Sequence, residues 1–565
     1  MAKLPPPDPR VLRLAPVLQE AIGLHRAGRF AEATELYRRV IKKMPDHFDA
    51  LYSFALMKLQ QGEPQDALGL INKAIKGEPR AAPAHCLAGA ILNALGRRKD
   101  ALASYDRALA IAPNLAAAWN DRGNTLRLLQ RPQDAIASYD RAIAIEPGSA
   151  QWHNNRGTAL AELVRFDDAI ASYDQALRLQ PTFAEAINNR GGALLRLDRP
   201  APALAEFERA LALRPDYPEA VNHRGLALQD LNRHREALDA HRRALALRPD
   251  SAEARYGAAT ALLALGEFDE GWRAYEARWS KVDLAPFRRT LPGPLWLGDA
   301  PIEGKTVLLH AEQGFGDAVQ FCRYAPLLAR RGATVVVEVP RALHDLFQSL
   351  PGVARVVSRD DTLPPFDMHC PLASLPLAFA TQLDGIPAEV PYLAADPERI
   401  AKWRARLPPS GRRQIALAWR GRPYPRDRSV PFTALTPLLS LPNIDFVSLQ
   451  QDLTDEDAHA VAGLPNLHHF GAAIEDFADT AAIIACVDAI VSIDTSVAHL
   501  AGALGKPLWL MLIFAADFRW LVGRTDSPWY PSARLIRQAR IGDWSDVVGR
   551  IAQALADLPS ASVSA

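Results

Sequence analysis

The sequence predicts a multidomain chain: an all-α array of repeated helix pairs, then an α/β region of two parallel-sheet lobes. Three observations predict it. Prolines recur at Pro45, Pro79, Pro113, Pro147, Pro181, Pro215 and Pro249, every interval being 34 residues. Beyond about residue 300 short β-rich apolar runs alternate with amphipathic segments. A chain of 565 residues is also too long for one hydrophobic core.

Composition narrows the classes. Apolar residues make up 49% and charged residues 23%, as in soluble globular protein. Sixty-five basic against 64 acidic residues leave no excess pointing to nucleic acid or a membrane surface. Cys86, Cys322, Cys370 and Cys486 lie far apart with no CxxC pair, which argues against a disulfide framework or zinc knuckle. His369 beside Cys370 is the one local pair that resembles metal ligands, and no metal is expected there. The opening Met-Ala-Lys-Leu-Pro has no apolar h-region, and no apolar run spans a bilayer, so the expected location is cytoplasmic.

The repeat comes first along the chain. Ala33, Ala67, Ala101, Ala135, Ala169, Ala203 and Ala237 each precede by four residues Tyr37, Ile71, Tyr105, Tyr139, Tyr173, Phe207 and His241. Val40, Ala74, Ala108, Ala142, Ala176, Ala210 and Ala244 follow three further on. Small residues at this spacing let two helices approach while the larger ring fills the gap, and the proline stops the second helix. Four first helices add an asparagine pattern: Asn120, Asn154, Asn188 and Asn222 stand 34 apart, with Asn155 and Asn189 beside two of them. Either these amides line one groove, or they satisfy each other between neighbouring helices. Amides suit a groove that holds an extended main chain, because they offer a donor and an acceptor whatever the side chains. Gly266 to Trp279 reads as a partial last unit that caps the stack.

After the Pro/Gly-rich joint Thr290–Asp299, strands are expected at 306–310, 334–339, 415–419, 444–449, 488–493 and 507–512. Helices are expected between them, at 318–330, 431–439 and 478–486. The polar, proline-bearing stretch 392–413 marks a boundary between two lobes. The expected divisions are a tail 1–13, an array 14–282, a linker 283–299, lobes 300–400 and 401–558, and a tail 559–565. Ligands of such sheets bind at the carboxyl ends of the strands.

Three strand exits carry candidate chemistry. Glu312-Gln313-Gly314-Phe315-Gly316-Asp317 follows one strand and opens a helix, where glycines admit close backbone approach and a helix N-terminus favours an anion. Ser492-Ile493-Asp494-Thr495-Ser496 ends another strand; Thr495 and Ser496 either hold a diphosphate or, with Asp494, cap their helix. Trp419 to Ser429 holds Arg420, Arg422, Arg426 and Arg428, either a phosphate clamp or a solvated basic loop. Phe518 to Leu521 and Trp529-Tyr530 either stack on a base or pack in a core.

The 34-residue frame over about residues 14–251 resembles the tetratricopeptide (TPR) family, and its asparagines resemble the array of the O-GlcNAc transferases, which implies a curved superhelix holding a peptide or protein partner. The order and spacing of the three strand exits, over about residues 300–540, resemble glycosyltransferase family 9, the heptosyltransferase-like enzymes with the GT-B fold of two Rossmann-like lobes. Asp494-Thr495-Ser496-Val-Ala-His499 matches that family's Asp-Thr-Gly-x-x-His motif, with Ser496 in place of glycine. The resemblance implies a metal-independent, inverting glycosyltransferase whose donor is a nucleotide-diphosphate sugar, with no further cofactor. It implies Asp317 as general base and His499 beside it as the second catalytic candidate. Gln313, Gly314, Gly316, Arg420, Arg428, Ser429, Asp494, Thr495, Ser496 and His499 would surround the donor. The first lobe, on the acceptor side, is short for the family, and the repeat groove is the expected source of acceptor contacts. A capping Asp317 and a packed His499 are the structural alternatives. A TPR scaffold with a degenerate transferase-like domain is the alternative for the whole chain.

Overall fold

Helix pairs replace one another every 34 residues through the first half of the chain in a computed structural model, which describes residues 9–281, 284–312, 314–409, 411–422 and 427–557. Most of the expected N-terminal tail, the C-terminal tail, Asp283 of the linker, Gln313, and Pro423 to Arg426 of the arginine-rich loop lie outside the described residues. Two compact units divide the chain, Met1–Pro215 and Asp216–Ala565.

In the first unit a repeat runs as Ala116–Leu128 followed by Pro132–Ile145. Ala101, Tyr105 and Ala108, and their equivalents Ala135, Tyr139 and Ala142, are at most 2% exposed, as the small–large–small spacing requires. The structure adds a reason for the glycine in each Arg-Gly pair of the first helices. A methyl group on Gly123, Gly157 or Gly191 would lie 2.6 Å from a ring carbon of Tyr139, Tyr173 or Phe207. Arg122, Arg156 and Arg190, just before those glycines, reach back to Asp106, Asp140 and Asp174 at 2.6–2.7 Å. The turn between the two helices puts one residue in the left-handed region. Gly28, Gly62 and Gly96 hold it in the early repeats, and Gln130, Val164 and Asp198 hold it later (φ 57–61°).

The second unit opens with helices Pro218–Asp230, His234–Leu247, Ala252–Leu265 and Phe268–Tyr275. Among the described residues ten strands follow: β1 Thr306–His310, β2 Thr334–Val339, β3 Val353–Ser358, β4 Met368–Pro371, β5 Arg413–Ala418, β6 Ile444–Ser448, β7 Leu467–His469, β8 Ala489–Ile493, β9 Leu508–Leu512 and β10 Ala533–Arg537. They form a four-stranded sheet ordered β3-β2-β1-β4 and a six-stranded sheet ordered β10-β9-β8-β5-β6-β7. All ladders between these strands are parallel. The chain after residue 300 is thus α/β, as expected, with helices between strands. Helix Pro397–Arg406, capped by Asp396 on the Arg399 N–H at 2.9 Å, occupies the strand-free stretch between the sheets.

One apolar core joins side chains of the first sheet (Val307, Leu309, Val337) to Phe268, Trp272 and Tyr275 of the last repeat helix and to Trp520, Trp529 and Tyr530. The Trp272 ring lies 6.1 Å from Phe321 and Phe518 and 6.3 Å from Trp529. A second core seats the C-terminal helix Ser545–Ala556 on one face of the six-stranded sheet through Val547, Val548 and Ile551. Among the described residues no helix is long and apolar enough to cross a membrane.

Candidate functional site

Each sheet has a point where the chain's direction of progress reverses, between β1 and β4 in the first and between β5 and β8 in the second. Parallel α/β sheets bind ligands in the crevice that opens there, beyond the carboxyl ends of the strands. The three sequence motifs leave the carboxyl ends of β1, β5 and β8. The Gly316 turn after β1 and helix Ser496–Ala503 after β8 touch, since a methyl group on Gly316 would lie 2.7 Å from the His499 ring. One on Gly421, after β5, would lie 3.3 Å from the Thr495 methyl.

Asp317 sits at the start of helix Phe315–Phe321 and accepts the Gly314 N–H at 3.2 Å. Its other carboxylate oxygen takes the guanidinium of Arg519, which also binds Asp517 at 2.7 Å. Asp317 therefore does cap its own turn, and it also forms an ion pair across 202 residues of chain. Arg519 belongs to a segment noted in the sequence only for its aromatic rings. Nothing in local spacing marks it, because only the tertiary fold brings it to Asp317.

On the other side, Arg428 donates to Asp494 at 2.9 Å. Asp494 is therefore not capping the Ser496 helix, and the Thr495 hydroxyl donates instead to the Ile493 carbonyl at 3.4 Å. Among the described residues no side chain caps that helix, and Thr495, Ser496 and Val497 at its start are only half-buried. Burial pushes the Asp494 carboxyl above its ordinary range, against the pull of Arg428. Arg420 turns away from these groups to the buried Asp457, at 2.8 Å, which also accepts from the Trp419 indole at 3.3 Å. The Ser429 hydroxyl accepts the Gly421 N–H at 3.2 Å and so ties the two ends of the arginine-rich loop.

His499 lies between these groups. Its Nδ1 meets the Tyr530 hydroxyl at 2.9 Å, its Nε2 stands 3.8 Å from Asp494, and its ring stacks on Trp520 at 5.2 Å. Burial, reinforced by Arg519, pushes its pKa down to about 3, so the imidazole is neutral. Trp520, Trp529 and Tyr530 are at most 1% exposed, so these rings pack in the core.

In the repeats, the asparagines bond mainly to each other. Asn155 donates to Asn120 at 2.9 Å, and Asn189 donates to Asn154 at 3.0 Å. Asn188 meets Asn189 at 3.4 Å, and Asn222 meets the His241 ring at 2.9 Å. All but Asn189 are under 10% exposed. His369 pairs with His310 at 3.2 Å.

Models of the tetratricopeptide repeat match residues 18–85, 52–116, 116–149, 154–218 and 228–273. The chain is 30% identical to Protein FlbA of Caulobacter vibrioides over 329 residues, which cover 54% of this chain and 55% of that relative. It thus spans about half the length of that curated relative. Among solved structures it is similar to YrrB, described as a TPR protein with an unusual peptide-binding site (22% identity, TM-score 0.29, covering 33% of this chain and 95% of that one). It is also similar to a thermophilic TPR protein of Thermus thermophilus (25% identity, TM-score 0.28, covering 32% and 99%). Between residues 18 and 273 this chain is built of tetratricopeptide repeats.

Proposed function

We propose that the second unit is a metal-independent, inverting glycosyltransferase that uses a nucleotide-diphosphate sugar, with the repeats holding the acceptor or a protein partner. The observation that carries this reading is the meeting of two reversal points. The exits of β1, β5 and β8 converge so that Gly316 abuts His499 and Gly421 abuts Thr495. A carboxylate, Asp317, and the start of the Ser496 helix are thereby brought to the same set of strand exits. In the reaction the acceptor oxygen bonds to the anomeric carbon as the bond from that carbon to the diphosphate oxygen breaks. The diphosphate keeps the electron pair, and Asp317 takes the acceptor proton. Arg428 and the amides of the Ser496 helix would stabilise the departing charge. Neutral His499 supports the turn at Gly316 and can exchange only a hydrogen bond with the donor. The paired asparagines would hold an extended segment through whatever donors and acceptors their mutual bonds leave over.

A second reading, a partner-binding scaffold whose transferase-like part does not turn over, is favoured by one observation. Three carboxylates (Asp317, Asp494, Asp517) face two guanidiniums (Arg428, Arg519) where a diphosphate would lie. Thermal unfolding in the presence of ADP, GDP, UDP and CMP and their sugars separates the two. A ligand at about 100 times its Kd stabilises its domain by about 2.7 kcal/mol. The enzyme reading expects one base to raise the melting temperature by a few degrees and Arg428→Ala or Thr495→Ala to abolish the rise. No shift with any of them leaves the scaffold.

A further inference from the structure

The pairing of Asp317 with Arg519 is at odds with the task of either residue. A base held by a guanidinium is a poor proton acceptor, and a guanidinium held by two carboxylates is a poor phosphate ligand. Arg519 is nonetheless built into place. Its side chain is 9% exposed, its Nη1 and main-chain N–H both bind Asp517, at 2.7 and 3.0 Å, and its Nε has no hydrogen-bond partner among the described residues. The segment that carries it is forced. Leu521, two residues on, has φ +53° and ψ −179°, a conformation that belongs to glycine. It is held there from outside. Arg537 donates to the carbonyls of Trp520 and Leu521 at 2.6 and 2.8 Å, and the Val522 N–H reaches the Ala264 carbonyl of a repeat helix at 3.2 Å. Strain of this kind persists only where the surroundings impose it.

Resting on the donor-site reading above, we propose that Arg519 is a ligand of the donor's diphosphate and that its resting bond to Asp317 is a latch. The diphosphate draws the guanidinium away from Asp317, so the base is freed only once the donor is seated. Asp317 keeps its place when released, because the Gly314 N–H still holds one of its oxygens. Asp517 keeps Arg519 anchored from the other side while the Asp317 contact is exchanged. Donor would therefore bind before acceptor.

The test uses the full chain and the nucleoside diphosphates ADP, GDP, UDP and CDP, titrated by calorimetry. Asp317→Asn removes the competitor for Arg519 without removing any group that binds phosphate. The latch predicts that this variant binds the preferred diphosphate about 5- to 10-fold more tightly than the parent protein. Arg519→Gln should bind it at least about 10-fold more weakly, and Arg519→Lys should recover part of that loss. Circular dichroism confirms that each variant is folded. Unchanged or weaker binding by Asp317→Asn overturns the latch, even if Arg519→Gln fails to fold. If the parent protein binds none of the four, the donor-site reading falls and the latch falls with it. If it binds one and Asp317→Asn does not tighten it, only the latch falls.

Discussion

His234, His241, His310 and His499 lie in the second unit at no more than 7% exposure, and burial pushes their pKa values down to about 4, 4, 3 and 3. Each is neutral when folded and takes up a proton when unfolded in mild acid. Their contribution to stability is therefore present above about pH 6.5 and lost as the pH falls from there to about pH 4 for His234 and His241 and to about pH 3 for His310 and His499. Glu312, buried beside Arg278 and pushed up to about 7, works the other way between about pH 4.5 and 7, as does Asp494, whose carboxyl burial also raises, while His223, His369 and His469, lowered by burial, act with the four imidazoles. The second unit should lose on the order of 1 kcal/mol per imidazole between pH 7.5 and 5.5, partly offset by Glu312. Nine of the chain's 11 tryptophans follow residue 216, so tryptophan fluorescence in urea reports this unit selectively. Equal or greater stability at pH 5.5 would contradict the burial argument.

At the level of elements, the repeats depend on contacts that leave no room for a methyl group. Gly157→Ala sets a methyl carbon 2.6 Å from the Tyr173 ring and should cost about 2 kcal/mol, whereas Gly148→Ala, with nothing within 4 Å, should cost far less. Chemical denaturation followed by circular dichroism compares the two, and equal costs would mean that the ring moves freely. What the sequence disclosed about the α/β part follows a simple division. The six strands expected from it, β1, β2, β5, β6, β8 and β9, are the interior strands, covered on both faces and therefore written as unbroken apolar runs. The four that escaped notice, β3, β4, β7 and β10, are the sheet edges. Val353–Ser358 exposes Ala354 and Arg355, and Leu467–His469 has only three residues, so neither presents an apolar run. The candidate site divides the same way. Its strand exits were legible because glycine, aspartate and hydroxyl residues cluster locally. Arg519 was not, because a partnership across 202 residues leaves no local trace. The asparagine ladder was visible as a period, but whether its amides face a ligand or each other is decided by packing alone.

For the molecule as a whole, the break between compact units falls after Pro215, not at the end of the repeats. Phe268, Trp272 and Tyr275 stand in the same core as the first sheet, and Arg278, with no exposed surface, binds Glu276 at 2.5 Å, Ser374 at 2.6 Å and Glu312 at 3.1 Å. Removing such a guanidinium while leaving its carboxylates buried costs about 3–5 kcal/mol. A fragment beginning at Asp216 should therefore unfold cooperatively on heating, while one beginning at residue 283 should be insoluble or lack a thermal transition. A well-folded 283–565 fragment would refute the shared core. Deleting residues 1–215, rather than every repeat, is then the appropriate way to ask whether the leading repeats select the acceptor. Because that break interrupts a run of modules of one period, the number of modules ahead of it is an adjustable dimension. Inserting or excising 34 residues upstream of Asp216 changes no residue of the α/β core. On the function proposed above, such changes would alter how long a partner segment the repeats hold without altering a residue of the proposed reaction site, as a ruler is lengthened by adding divisions.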